Sequence, residues 1–339
     1  MSVTIKEVAR EAGVSVATVS RALNETGPVR AETRRRIREV ADRLRYVPHG
    51  AARSLITNRT STVGVLLPDL YGEFFSEVIR GIDQTARRHG YHLLVSSSHS
   101  DRAEVEAAFR AMRGRVDGLI IMTPEIDSET LEANLSATVP VVLLNCHVDG
   151  ESNDSITIDN YGGAYAMVRH LIGLGHRRIA LIRGAARNQD ASERLRGYRD
   201  AMAVLGGAWT PDLELPGDFT EESGHEAVEH LLSLSPRPTA LFAANDSMAI
   251  GALSALAAAG LQVPDDIALT GFDDIPIARF TTPPLTSVHV PITDLGSRGM
   301  RSLLEALEVG NRHLRRHETM QTRLVIRTSC GAVGEPLSL

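Results

Sequence analysis

The chain has almost no cysteine, no long apolar run and none of the short motifs that mark common enzymes, and each absence narrows its function. Two cysteines in 339 residues, Cys146 and Cys330, give no disulfide framework and fit a reducing cytoplasm. The longest apolar stretches, such as Val63–Leu67 and Ile267–Leu269, have the length of strands, so no membrane span is expected. The first residues lack the basic, apolar, small-residue order of a secretory signal, which also points to the cytoplasm. No G-x-S-x-G, H-E-x-x-H, Walker loop or C-x-x-C occurs, so the usual nucleophilic, zinc and phosphate-loop chemistries have no candidate. Gly173-Leu174-Gly175 is followed by His and Arg instead of a dinucleotide fingerprint and reads as a helix end. Cys146 and His147 are adjacent, so on a strand they point to opposite faces. His89 and His92 straddle a turn with no further ligand types beside them. No enzyme activity, cofactor or metal is expected.

What is present concentrates in Thr4–Asn24, TIKEVAREAGVSVATVSRALN. Thr4 with Glu7 three residues on is a capping box, so a helix starts at Ile5 and buries Ile5, Val8 and Ala9. Gly13 supplies a permissive turn. Ser15 caps a second helix whose apolar stripe is Val19, Ala22 and Leu23. That leaves Val16, Ala17, Thr18, Ser20 and Arg21 facing outward near a helix N-terminus. Small apolar tips and an Arg suit base edges, and hydroxyls suit phosphate oxygens. The pattern is a helix-turn-helix with its recognition helix exposed. A third helix is expected from Ala31 to Leu44, with Ile37, Val40, Ala41 and Leu44 at helical spacing.

Charge follows the same division. The net charge is −6, yet residues 1–60 hold twelve of the 36 Lys and Arg and only six of the 42 Asp and Glu. A basic segment on an acidic body puts the phosphate-attracting potential in one place.

The motifs TIKEVAREAGVS, VATVSRALN and YVPHGAARSL, in that order, resemble the lac repressor and galactose repressor family of bacterial regulators. The resemblance extends to the C-terminus. It implies an all-α helix-turn-helix headpiece over 1–48, a hinge helix and linker over 49–60, and a two-lobed effector and dimerisation domain over 61–339. By the resemblance that domain has the periplasmic-binding-protein (type I) build, with lobes of about 61–158 plus 288–318 and about 159–287 plus 319–339. The chain would cross between them near Ile158, Val288 and Thr319. The resemblance also assigns DNA contacts to Thr4, Ser15, Val16, Ala17, Thr18, Ser20, Arg21 and Asn24, and to the hinge residues Ala52, Arg53 and Leu55. Eight residues, His49–Ile56, are too few for a helix to stand alone in water, and family hinges become helical in pairs on the operator. Leu55 would then wedge into a central minor-groove step. Two positions depart from the family pattern: Arg30 where a capping Ser is common, and His49 where Asn or Ser is common.

From Ser61 apolar runs alternate with amphipathic helices in two series, which predicts α/β layers with parallel sheets. Ligands of such sheets bind beyond the carboxyl ends of strands. That rule points to Asn145, Asn245 and Asp273 at strand ends, to Arg194 opening a helix, and to Phe74 and Phe75 at the start of the first lobe helix. The family resemblance marks Asn145, Arg194, Asn245 and Asp273 as ligand contacts and Phe219 as a stacking aromatic. Arg with an opposed carboxylate and amides suits vicinal diols. Asn188 stands where the purine-responsive branch has Arg, and Val290 where the lac repressor has a Gln contact. These departures favour a mono- or disaccharide other than a lactose-like galactoside.

The expected protein is therefore a cytoplasmic homodimeric repressor on a pseudo-palindromic double-stranded operator, with affinity changed by a small sugar. A corepressor-dependent regulator answering to a non-sugar metabolite such as a nucleobase stays open. The chain ends at Leu339 without a leucine heptad, so no tetramer is expected.

Overall fold

The computed structural model describes residues 3–24, 27–46, 59–99, 101–123, 128–134, 139–146 and 153–332. It separates into two compact units: residues 1–61 with Arg115–Asp117, and the remainder. The hinge assignments Ala52, Arg53 and Leu55, and the His49 departure, lie outside the described residues.

The small unit is helical. α1 (Ile5–Ala12) begins where Glu7 reaches back to accept the Thr4 backbone N–H at 2.7 Å, and it ends on Gly13 in the left-handed region. Thr4 also holds the Glu7 carboxyl below the usual carboxylate range, first through that backbone bond and then through its hydroxyl. α2 (Val16–Asn24) starts where Ser15 Oγ accepts the Thr18 N–H at 3.1 Å. α3 (Ala31–Arg43) starts at Arg30 with no side-chain cap, as expected when Arg replaces a hydroxyl or amide. The three helices bury Val8, Ala9, Ala12, Val19, Ala22, Ile37, Val40 and Ala41, with Ile5, Leu23 and Leu44 packed at the margin.

The large unit holds two six-stranded sheets. The first contains β1 (Thr62–Leu67), β2 (His92–Ser97), β3 (Gly118–Ile121), β4 (Val141–Leu144), β5 (Asp154–Ile158) and β11 (His317–Met320), in the order β11-β5-β4-β3-β1-β2. The second contains β6 (Ile179–Ile182), β7 (Glu214–Leu215), β8 (Ala240–Ala243), β9 (Ala268–Asp273), β10 (Thr286–His289) and β12 (Arg323–Val325), in the order β12-β10-β9-β8-β6-β7. Among the described residues every pairing is parallel except β10 with β12. β1, β3, β4 and β8 are buried almost throughout, as strands covered by helices on both faces must be. The order 2-1-3-4-5 appears in both sheets, so each has a topological switch point beyond its first strand.

The helices pack closely through glycine. In the first lobe α4 (Glu73–Arg88) lies on α11 (Ile292–Val309), where a Cβ on Gly81 would stand 2.0 Å from the Thr293 carbonyl and one on Gly296 2.2 Å from that of Val78. In the second, α9 (Glu221–Ser233) and α10 (Asp246–Ala258) meet so that a Cβ on Gly251 would stand 1.8 Å from the Glu221 carbonyl. The remaining helices of the unit are α5 (Arg102–Met112), α6 (Ser128–Asn134), α7 (Asn160–Gly173) and α8 (Gln189–Val204). The chain leaves the first sheet after β5, returns to it through α11 after β10, and crosses again between β11 and β12.

Candidate functional site

On the small unit, Val16, Ala17 and Arg21 are exposed, with Val16 at 41%. A large aliphatic side chain left open on an otherwise polar helix face is the group available to a thymine methyl or base edge. Arg21 turns its Nε toward the Ala17 carbonyl at 3.3 Å, which lays the guanidinium along the helix. Thr18 and Ser20 beside them are half-buried. The Thr18 hydroxyl is 2.9 Å from that of Ser15, and Ser20 Oγ accepts from Asn24 at 3.3 Å. Their hydroxyls serve the helix first, because short hydroxyl side chains bond locally where a neighbour is in reach.

On the large unit the C-terminal ends of the strands gather a polar cluster around Arg194. Arg194 does not open a helix as the sequence led us to expect. α8 starts at Gln189, capped by Asn188 Oδ1 accepting the Ala191 N–H at 2.9 Å, and Arg194 lies further along it, almost fully buried. Its Nε donates to Asn160 Oδ1 at 2.8 Å, its Nη1 to the Ala244 carbonyl, and its Nη2 to Asp273 Oδ1 at 3.2 Å. The guanidinium stacks 3.7 Å above the centre of the Phe272 ring and lies 5.9 Å from that of Phe219. Asn160, the first residue of α7, was not singled out from sequence, although the strand-end rule covers it, since it follows β5. Its Nδ2 donates to Asp190 Oδ1 at 2.9 Å. Asp190 also accepts from Asn145 Nδ2, and this contact joins the end of β4 in the first lobe to α8 in the second. A second tie runs from the Ile277 N–H to Glu73 Oε2 at 2.8 Å.

Asn245 is placed differently. It caps α10 through the Met248 N–H at 2.9 Å and donates to the Phe219 carbonyl at 2.9 Å, so half of its side-chain capacity holds the loop. Phe219 in turn lies over Gly184, where a Cβ would stand 2.2 Å from the ring. Phe74 and Phe75, half-buried at the start of α4, meet edge to face with centroids 5.5 Å apart. Asn145, Phe219 and Asp273 have φ of 51°, 79° and 103°. Left-handed backbone at three strand-end or loop positions is costly for non-glycine residues and tends to collect at ligand sites.

Electrostatics set the cluster apart from the rest of the core. Burial pushes the Asp273 carboxyl up to about 6, against the pull of Arg194 and with help from Asp190. Asp246, fully buried, is raised well above the ordinary range by burial and then by Asp273. It accepts from Ser287 Oγ at 2.6 Å and from the Ile275 N–H at 2.9 Å. Asp274 goes the other way: burial raises it, but bonds from His289 and Arg327 outweigh that. Nothing in the cluster pairs a nucleophile with a base. It offers a carboxylate, amides and a guanidinium beside aromatic faces.

A model of bacterial regulatory proteins of the lacI family matches residues 4–49, and a model of a periplasmic binding protein-like domain matches residues 168–330. The HTH-type transcriptional repressor PurR of Aliivibrio fischeri (strain MJ11) is 36% identical over 330 residues, covering 96% of this chain and 98% of the relative. The chain belongs to the lacI family. Among solved structures, the lac repressor dimer bound to operator and the anti-inducer ONPF aligns with a TM-score of 0.85 and 29% identity, over 98% of this chain and 100% of that one. A complex of the transcriptional regulator CelR with cellobiose aligns with a TM-score of 0.72 and 31% identity, over 96% and 99%. This lacI-family member is a DNA-binding transcriptional repressor with a small-molecule effector domain, and it is not an enzyme. No described helix is long and apolar enough to cross a membrane.

Proposed function

We propose that this repressor binds a pseudo-palindromic operator as a homodimer and that a mono- or disaccharide, held between the two lobes, sets its operator affinity. The observation that carries the reading is Asp273. Its buried carboxylate accepts only from Arg194 among the described residues and stands at a strand end beside Asn160 and Asp190. A buried carboxylate with spare acceptor capacity, next to a guanidinium that retains donors, matches the alternating hydroxyls of a sugar. Phe219 and Phe74 supply apolar faces for a pyranose ring. The likeness to a cellobiose-bound regulator supports the same class and makes cellobiose a sensible first probe.

The contacts come from both lobes, Asn145 and Phe74 from the first and Arg194, Phe219 and Asp273 from the second. A ligand that binds two lobe arrangements with different free energies shifts the balance between them, and the hinge segments follow. The aromatic faces would also take a flat heteroaromatic ring, so a nucleobase corepressor is the second reading. The test selects an operator from random DNA with the full chain, then titrates the complex with sugars and nucleobases. Release by a sugar supports the proposal. Tightening by a nucleobase, with sugars inert, would replace it. Sedimentation showing a stable monomer, or a four-chain species, would remove the dimer.

A further inference from the structure

We propose that the effector carries a primary amine beside its hydroxyls, as an amino sugar does, and that Asp190 and Asp273 together select it. The proposal rests on the sugar reading above and names the class of sugar.

Asp190 lies in the first turn of α8. Its Oδ1 accepts from Asn160 Nδ2 at 2.9 Å and its Oδ2 from Asn145 Nδ2. Both amides are fixed in this orientation by what their carbonyls hold. Asn160 Oδ1 takes the Arg194 Nε–H at 2.8 Å, and Asn145 Oδ1 takes the Ile158 N–H at 3.2 Å. An amide N–H only donates, so Asp190 is fixed as the acceptor.

Asp273 is the second acceptor. The residue is 5% exposed. Its Oδ1 accepts from Arg194 Nη2 at 3.2 Å, and its Oδ2 accepts from no donor among the described residues. The bonds therefore run from Asp190 through Asn160 and Arg194 to Asp273, with one guanidinium serving a path that has a carboxylate at each end.

Other positive charge nearby is committed elsewhere. Arg327 and His289 hold Asp274, and Arg183 acts on Glu214. Arg187, in the turn before α8, is exposed, where water and salt screen its charge. Asp246 has donors of its own in Ser287 and the Ile275 N–H. The imbalance registers on Asp273, whose carboxyl stands at about 6. Burial raises it most, Arg194 lowers it less, and Asp190 raises it again. One guanidinium does not offset the burial of one carboxylate beside another.

A sugar hydroxyl offers these acceptors one donor and no charge. An ammonium offers three donors and a full positive charge, and charge-assisted hydrogen bonds are roughly twice as strong as neutral ones. Out of bulk water the attraction is also screened less. A sugar phosphate or sugar acid would meet two carboxylates with charge of the same sign, which specific sites use to turn partners away. The ring hydroxyls keep the N–H groups that Arg194 still offers, and the ring face keeps Phe219 and Phe74. The amine thus adds to sugar recognition and does not replace it.

The experiment is calorimetric titration of the full chain at pH 7. The probes are glucosamine, galactosamine, mannosamine and 6-amino-6-deoxyglucose, each beside its hydroxyl parent and its N-acetyl derivative, with glucose 6-phosphate and adenine as contrasts. In wild type, one or more of the amino sugars is expected to bind at least roughly tenfold more tightly than its parent and its N-acetyl derivative. Glucose 6-phosphate is expected to bind more weakly than glucose. In Asp190→Asn the preference for the amine should fall to within about twofold, and in Asp190→Glu, which keeps the charge, it should in part return. No amino sugar binding more tightly than its parent, or glucose 6-phosphate binding most tightly, would overturn the amine while leaving the sugar reading in place; this comparison is read on wild type alone. A full preference retained in Asp190→Asn would overturn the role of Asp190. Adenine binding with every sugar inert would remove the sugar reading and this inference with it.

Discussion

Replacing Arg194 with Ala is expected to destabilise the large unit, and to do so more strongly as the pH rises. The guanidinium gives three hydrogen bonds, to Asn160, Ala244 and Asp273, from a nearly sealed position. Removing one partner of a buried pair typically costs about 3–5 kcal/mol, because the remaining charge is left uncompensated. Asp273 has an escape. With Arg194 present its carboxyl already titrates near 6, and without that cation it moves higher and takes up a proton. Between pH 6 and the variant's new value, the folded variant holds a proton that the folded wild type and both unfolded chains do not. The variant's stability then falls tenfold in folded-to-unfolded ratio for each pH unit, while the contribution of Asp273 in wild type stays flat. From pH 6 to 8 the gap widens by up to a hundredfold, roughly 3 kcal/mol. Urea unfolding of both proteins at pH 5.5, 7 and 8, at one protein concentration, measures it. An equal loss at all three values would refute the coupling of Arg194 to Asp273.

Other outcomes follow from the same geometry. Effector affinity is expected to fall as pH drops through about 6, because a protonated Asp273 gives up acceptor capacity. The limit is tenfold per unit, and calorimetric titration from pH 5 to 8 would show a flat profile if Asp273 does not touch the ligand. Arg21→Ala should cost about 1–3 kcal/mol on the selected operator and relax preference at one position per half-site. Equal losses on selected and random DNA would make Arg21 a phosphate contact only. Gly251→Ala forces a Cβ to within 1.8 Å of the Glu221 carbonyl and should cost about 1–3 kcal/mol by overpacking. An unchanged melting temperature would mean that α9 and α10 can part without penalty.

The sequence was most legible where local chemistry and burial agree. Thr4, Glu7, Gly13 and Ser15 each act within a turn of their own position, and the structure uses them as caps and turn as read. The buried parallel strands announce themselves because both faces must be apolar. β10 does not, since Thr286 and Ser287 are buried by specific bonds to Ser329, Arg327 and Asp246 that hydropathy cannot see. At the candidate site the strand-end rule reached Asn145, Asn245 and Asp273 but passed over Asn160, whose importance comes from bridging Arg194 and Asp190 across the fold. It also put Arg194 one turn too early. Asn188, an amide ahead of a helical run, caps α8, which starts five residues before Arg194.

The central claim is that the cluster around Arg194 and Asp273 receives the effector and sets operator affinity. Asp273→Asn tests it most directly, because the amide keeps the shape and a carbonyl acceptor for Arg194. The variant's operator complex is titrated beside wild type with the effector found in the ligand screen, by fluorescence anisotropy at pH 7.5. We predict wild-type operator affinity without effector and an effector response shifted at least tenfold to higher concentration. A variant that responds at the wild-type concentration would place the effector somewhere other than these strand ends.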